Sequence, residues 1–131
     1  MDVYILDLRN KYKHMQPKKT QYSPHKQRPI DYGATQQLGQ PTDKSPLLNV
    51  KEIKRIHGIV GGLLYVVILV NNKLLVALSA IGSQEAAATE YTAAAIEQVL
   101  DYVATNPNDV ILFRKSDMIL AVHADAGFLN K

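Results

Sequence analysis

Met1, Ile5, Leu8, Tyr12 and Met15 recur at spacings of four and three, which lays them along one side of a helix and leaves Arg9, Lys11 and Lys13 in water. That helix is expected to stop before Pro17. From residue 16 to 48 the periodic pattern vanishes. Five of the six prolines fall in this stretch, interleaved with Lys18, Lys19, Lys26 and Arg28. Proline removes backbone donors and pushes the residue before it out of the helical region, so an extended or loop-like arm is expected. An arm this long is uncommon inside a compact domain. It either wraps over a surface or connects to a partner that is absent.

Periodicity returns at Asn49, which with Glu52 three residues on can form a reciprocal helix N-terminal cap. Ile53, Ile56, Val60, Leu63 and Val67 then make an apolar stripe. The stripe broadens to nearly every face by residues 64–70, as for a helix buried on several sides. Gly58, Gly61 and Gly62 weaken this helix and are expected to permit close approach of a neighbour; no phosphate-loop spacing surrounds them. Asn71 or Asn72 can cap a second helix through Leu74, Leu75, Leu78 and Ile81, ending at Gly82 and Ser83. Thr89 can cap a third, with Ile96, Val99, Leu100 and Val103 inward and Glu90, Glu97 and Asp101 outward, before "TNPND" at 105–109 breaks it.

Beyond that point the period changes from 3.6 to 2. "VILFR" at 110–114, a turn at Lys115, Ser116 and Asp117, and "MILAVHAD" at 118–125 read as a β-hairpin that expects to be covered. Two strands alone are marginal in water. The fold class expected is therefore mainly α with a C-terminal β-hairpin, an α+β arrangement in which a helical bundle is preceded by a long Pro-rich extended arm.

Composition narrows the chemistry. With 47% hydrophobic and 21% charged residues the chain of 131 residues can build one core. The absence of cysteine excludes disulfides, thiolate metal sites and a cysteine nucleophile. The N-terminus lacks the order of a signal peptide, and the apolar run 59–70 is too short for the ~20 residues that span a bilayer. An intracellular protein, in cytoplasm or nucleus and without membrane association, is the expectation. Charge is uneven: residues 1–55 hold eleven Lys or Arg against five Asp or Glu, and residues 56–131 hold four against seven. The basic half can track a polyanion, with Lys11, Lys13, Lys18, Lys19, Lys26 and Arg28 as candidate nucleic-acid contacts. Tyr22 and Tyr32 stand among them as candidate base-stacking residues; packing on the helices is the plainer alternative for both.

Asp125, a carboxylate at the end of an apolar strand, is placed to hold a divalent metal. One carboxylate is not a two-metal site, and a turn aspartate is the simpler account of the spacing. His123, two residues earlier, can be a base, a ligand or a packed side chain. His14, His25 and His57 lie without ligand spacing, and no serine sits in a nucleophile-elbow context.

The blocks "RIHGIVGGLLY" (55–65), "LLVALSAIGSQEAAATE" (74–90), "AIEQVLDYVAT" (95–105) and "DMILAVHADAGF" (117–128) resemble, in order and separation, the stretch of copia-type retrotransposon Pol that joins reverse transcriptase to RNase H. Upstream, "YILDLRNKYKHMQP" and "YSPHKQRPIDYG" look like the end of the polymerase palm and the entry to its thumb. The resemblance covers nearly the whole chain, although "LVNNKLL" and the very apolar "YVVILV" depart from the family's usual pattern. It implies an amphipathic helix at 1–15 ending the palm, a basic linker at 16–48, a three-helix thumb or connection at 49–106 and the start of a truncated RNase H domain at 107–131.

The same resemblance implies a primer-template or RNA/DNA hybrid as partner and Mg²⁺ as the intact enzyme's cofactor. The polymerase aspartates would precede Met1. Asp125 would be the first RNase H metal ligand, its companions lying beyond Lys131. The chain by itself is then expected to hold no cofactor, to lack polymerase and RNase H activity, and at most to bind nucleic acid non-specifically. The alternatives are a domesticated helical protein-interaction module and, for want of ligands a distant third, an independent metal nuclease.

Overall fold

A computed structural model describes residues 2–26, 43–109 and 115. The described residues are mainly helical: α1 (Asp2–Lys11), α2 (Val50–Leu69), α3 (Leu75–Gly82) and α4 (Glu90–Thr105), with 3-10 turns at Asn72–Leu74 and Glu85–Ala87. The expected β-hairpin, with His123 and Asp125 in it, lies outside the described residues, as do Arg28 and Tyr32.

The caps read from sequence set two of the helix starts. Asn49 Oδ1 accepts from the Glu52 amide at 2.9 Å while Glu52 Oε2 accepts from the Asn49 amide at 3.2 Å, so α2 begins with two of its orphan donors bonded. Thr89 and Thr92 form the equivalent box at α4, with threonine standing where glutamate is commoner. Asn71 caps the 3-10 turn through the Lys73 amide, and that turn leads directly into α3.

α1 runs antiparallel to α2. Tyr4 donates its hydroxyl to the Gly62 carbonyl at 3.1 Å and packs its ring 5.4 Å from that of Tyr65; nearer the other end, Arg55 reaches the Tyr12 carbonyl at 3.4 Å. Two glycines one turn apart make the seat. A Cβ on Gly62 would fall 2.5 Å from Leu8 Cδ1, and one on Gly58 would run into the Tyr12 hydroxyl. Close approach is thus the role of Gly58 and Gly62, as the sequence suggested. Gly61, between them, points to open space.

α1 ends earlier than its apolar spacing suggests. Lys13 takes a left-handed backbone, φ 54°; its amide bonds the Asn10 carbonyl and the His14 amide bonds the Arg9 carbonyl at 2.9 Å. This is a Schellman ending with lysine where glycine is usual. Met15 therefore never joins the stripe and is 84% exposed. Arg9, expected in water, is buried, because the reversed chain folds back over it.

One core holds the four helices, centred on Ile56, Ile59, Leu63, Leu74, Leu78, Ile96, Val99 and Leu100. The inward stripe read for α4 is buried throughout. The C-terminal half of α2 is less enclosed than its composition suggests: Val66 and Val67 are buried, while Tyr65, Ile68 and Leu69 are exposed. The described ends of the proline-rich stretch lie on the helices. Residues 14–26 bond to α4, and Leu47 forms an antiparallel bridge to Thr89 just before α4, with the Leu48 amide on the Ala88 carbonyl at 2.9 Å.

Candidate nucleic-acid interface

The chain that leaves α1 is fastened to α4 by polar bonds. His14 Nε2 lies 2.8 Å from Asp101 Oδ1, and Arg9 Nε donates to His14 Nδ1 at 3.2 Å. With Nδ1 accepting, the ring proton belongs on Nε2, where it points at the carboxylate. Arg9 also donates to Gln16 at 2.7 Å. Further on, the Gln21 amide donates to Thr105 Oγ1 at 3.1 Å, Asn106 Nδ2 donates to the Gln21 carbonyl at 2.9 Å, and Gln98 Nε2 donates to the Ser23 carbonyl at 3.0 Å.

These bonds hold backbone and short side chains and leave the lysines outward. Lys11, Lys13, Lys18, Lys19 and Lys26 are all exposed, and none pairs with a described carboxylate. Lys11 sits 5.4 Å over the Tyr12 ring. The nearby acids are occupied elsewhere: Glu97 takes Arg55 at 2.7 Å, and Asp101 takes His14. Tyr22, between Lys19 and Lys26, is 88% exposed, so packing on the helices is not its role. An exposed ring among cations that pair with no described carboxylate can stack a base while the cations meet phosphates. Of the residues proposed from sequence as nucleic-acid contacts, Lys11 closes α1 and Lys13, Lys18, Lys19 and Lys26 follow on the chain that leaves it, all five exposed.

Two other polar clusters lie in the described region. His14 and Asp101 have the composition of a general-base pair, but the imidazole side chain is only 4% exposed and both ring nitrogens are engaged. No nitrogen is left for a substrate. At the far end of α4, Asp109 accepts from Tyr102, Lys73 and Asn71. Burial, followed by the bond to Asp109, pushes the Tyr102 hydroxyl up to about 12. Burial also acts to raise the Asp109 carboxyl, but the bonds from Lys73, Tyr102 and Asn71 outweigh it and hold the group below its ordinary value. A cavity of about 170 Å³ opens beside this cluster, walled by Val66, Val70, Leu74 and Val103. Of the polar residues that line it, Asn71, Tyr102 and Asp109 are bonded to one another and Asn106 donates to the Gln21 and Tyr102 carbonyls, which leaves few polar groups to orient a ligand.

Among the described residues, no three His, Asp or Glu side chains group as a metal site, and no helix is long and apolar enough to cross a membrane. Sequence reasoning missed Arg9, His14 and Asp109 as structural anchors. The His14 partner lies 87 positions away, and a lone histidine among lysines carries no local signal of it. Compared with family models, curated proteins and solved structures, the chain matches none.

Proposed function

We propose that this chain is the thumb-to-connection stretch of a copia-type reverse transcriptase, running into the first strands of its RNase H domain, and that its own activity is non-specific binding of single-stranded or hybrid nucleic acid. The observation that supports binding is the arm itself: Lys13, Lys18, Lys19 and Lys26, with Lys11 at the end of α1, are exposed, pair with no described carboxylate and surround an exposed tyrosine, on backbone pinned to α4. Phosphate contacts of this kind give affinity without sequence preference. In this reading residues 110–125 form the β-hairpin, and Asp125 is the first ligand of a Mg²⁺ site that other segments of the polyprotein complete. Primer extension and hybrid-strand cleavage by the chain alone are then nil.

The test is a salt titration of binding to a labelled single-stranded RNA and to an RNA/DNA hybrid. Log affinity should fall linearly with log salt. Replacing Lys18, Lys19, Lys26 and Arg28 by alanine should reduce the single-strand slope by about 0.7 for each phosphate that these side chains neutralise. Absent or salt-insensitive binding overturns the proposal. One observation favours the second reading, a helical protein-interaction module. Tyr65, Ile68 and Leu69 expose an apolar face on α2, the kind of surface that a protein partner covers. No nucleic-acid binding by the natural chain, together with association to a protein partner that Ile68→Asp abolishes, would favour this second reading.

A further inference from the structure

The chain contains two Ser-Pro pairs, Ser23-Pro24 and Ser45-Pro46, and the fold treats them differently. Ser45 is built into the start of α4. Its hydroxyl donates to Asp43 at 2.6 Å and accepts from the Tyr91 amide at 3.3 Å, and the carbonyl of Pro46 accepts from the Glu90 amide at 3.1 Å. Three residues beyond it stands Leu48. Among the described residues, the Ser23 hydroxyl bonds only to its own turn, donating to the His25 carbonyl at 2.6 Å and receiving the His25 amide at 3.4 Å. The body of the protein grips this residue by its carbonyl, through Gln98. Ser23 and Pro24 are half-buried, Tyr22, His25 and Lys26 around them are exposed, and no helix or strand includes these residues.

We infer that Ser23 is a phosphorylation site for a proline-directed serine/threonine kinase, and that the phosphate acts as an off-switch for the lysine arm. Pro24 presents no N–H, so an apolar seat following the acceptor leaves no donor unpaired. Lys26 supplies a cation three residues on, at a spacing that an acidic kinase surface can read. In the transfer Ser23 Oγ attacks the γ-phosphorus of ATP. The Oγ–P bond forms, the bond from that phosphorus to the bridging oxygen of ADP breaks, and the hydroxyl proton passes to the kinase's aspartate. Of the described bonds, only those to His25 must be given up for the hydroxyl to be offered. The product adds about −1.5 to −2 charge between Lys19 and Lys26, cancelling roughly two of the arm's cations. The switching half of the inference rests on the proposed nucleic-acid binding; the modification itself does not.

The experiment treats the full chain with a proline-directed kinase and Mg-ATP, maps the phosphate by mass spectrometry, and compares modified and unmodified protein on labelled single-stranded RNA. One phosphate on Ser23, none on Ser45 and none on the Ser23→Ala variant is expected. The modified chain should bind several-fold more weakly at 0.15 M salt, with a salt slope smaller by about 1. An unmodified Ser23, or preference for Ser45, overturns the site. A phosphate on Ser23 with unchanged affinity overturns the switch. If the unmodified chain binds no RNA, the proposed function of the arm fails, and the phosphate map alone decides whether Ser23 is a site.

Discussion

α1 is seated on α2 and the arm that continues from it is tied to α4, and the two are held by opposite means. α1 is seated by shape: Leu8 and Tyr12 press onto Gly62 and Gly58, with Ile5 and Tyr12 packed against the core. The described part of the arm, residues 14–26, is held by a handful of hydrogen bonds to Asp101, Thr105, Asn106 and Gln98 and buries no large apolar side chain, its Met15 and Tyr22 both lying in water. Apolar contact fixes a helix but consumes its surface. Polar tethering fixes a backbone and leaves the side chains free for another task. The boundary between the two regimes is the reversal at Lys13, where Arg9 and His14 are buried together.

The strongest way to break that contrast is at the glycine seat. Gly62→Val should destabilise the chain by about 1–3 kcal/mol in urea unfolding, because Leu8 must leave its position. Gly61→Ala, one residue earlier and facing open space, should stabilise by up to about 1 kcal/mol. Equal effects at the two positions would show that α1 is not seated as described.

The polar side is tested by His14→Ala. It leaves Arg9 buried with Gln16 as its remaining partner and should cost about 1–3 kcal/mol. It should also raise hydrogen exchange at the Gln21 amide while amides in the middle of α2 change little. Uniform loss of protection would instead place the arm inside the cooperative core.

A third test uses pH and the far end of α4. The hydroxyl of Tyr102 is raised from its ordinary 10.0 to about 12. Folding thus favours its protonated form, a contribution fully present below pH 10 and lost as pH rises toward 12. Thermal melts between pH 9 and 12 should fall more steeply for the natural chain than for Tyr102→Phe. Asp109 has the reverse sign: its lowered carboxyl stabilises the fold above the ordinary 3.8 and stops doing so as acid titrates it. The smallest effect is at the junction itself, where Lys13→Gly removes a left-handed lysine and should raise stability by about 0.4–1 kcal/mol in the same urea assay.

What was legible in the sequence follows the same division. The caps at Asn49 and Thr89 and the buried stripe of α4 were readable because each depends on residues three or four apart. The glycines on α2 were readable as a class, but choosing Gly58 and Gly62 over Gly61 required knowing where α1 lies. The end of α1 was misjudged by four residues because nothing in "NKYKH" advertises a left-handed position; lysine there is a local choice overruled by the bonds of His14 and Arg9. Tyr65, Ile68 and Leu69 carried the hydropathy of a core and lie outside it, since composition reports how apolar a helix is and not how many neighbours surround it. The lysines of the candidate interface were named from charge alone. That Glu97 and Asp101 are taken by other partners was not legible, because those partners come from distant parts of the chain.

Asn71 holds Asp109 twice, by its carbonyl at 3.1 Å and by its carboxylate, while Lys73 and Tyr102 hold the carboxylate from two further sides. Three side chains, two from the corner between α2 and α3 and one from α4, thus converge on the last residue described before position 110. Such a joint transmits orientation. A domain attached there would swing with α4 and the α2–α3 corner as one lever, and loosening the joint, by Asp109→Ala for instance, would uncouple its aim from the bundle without unfolding either.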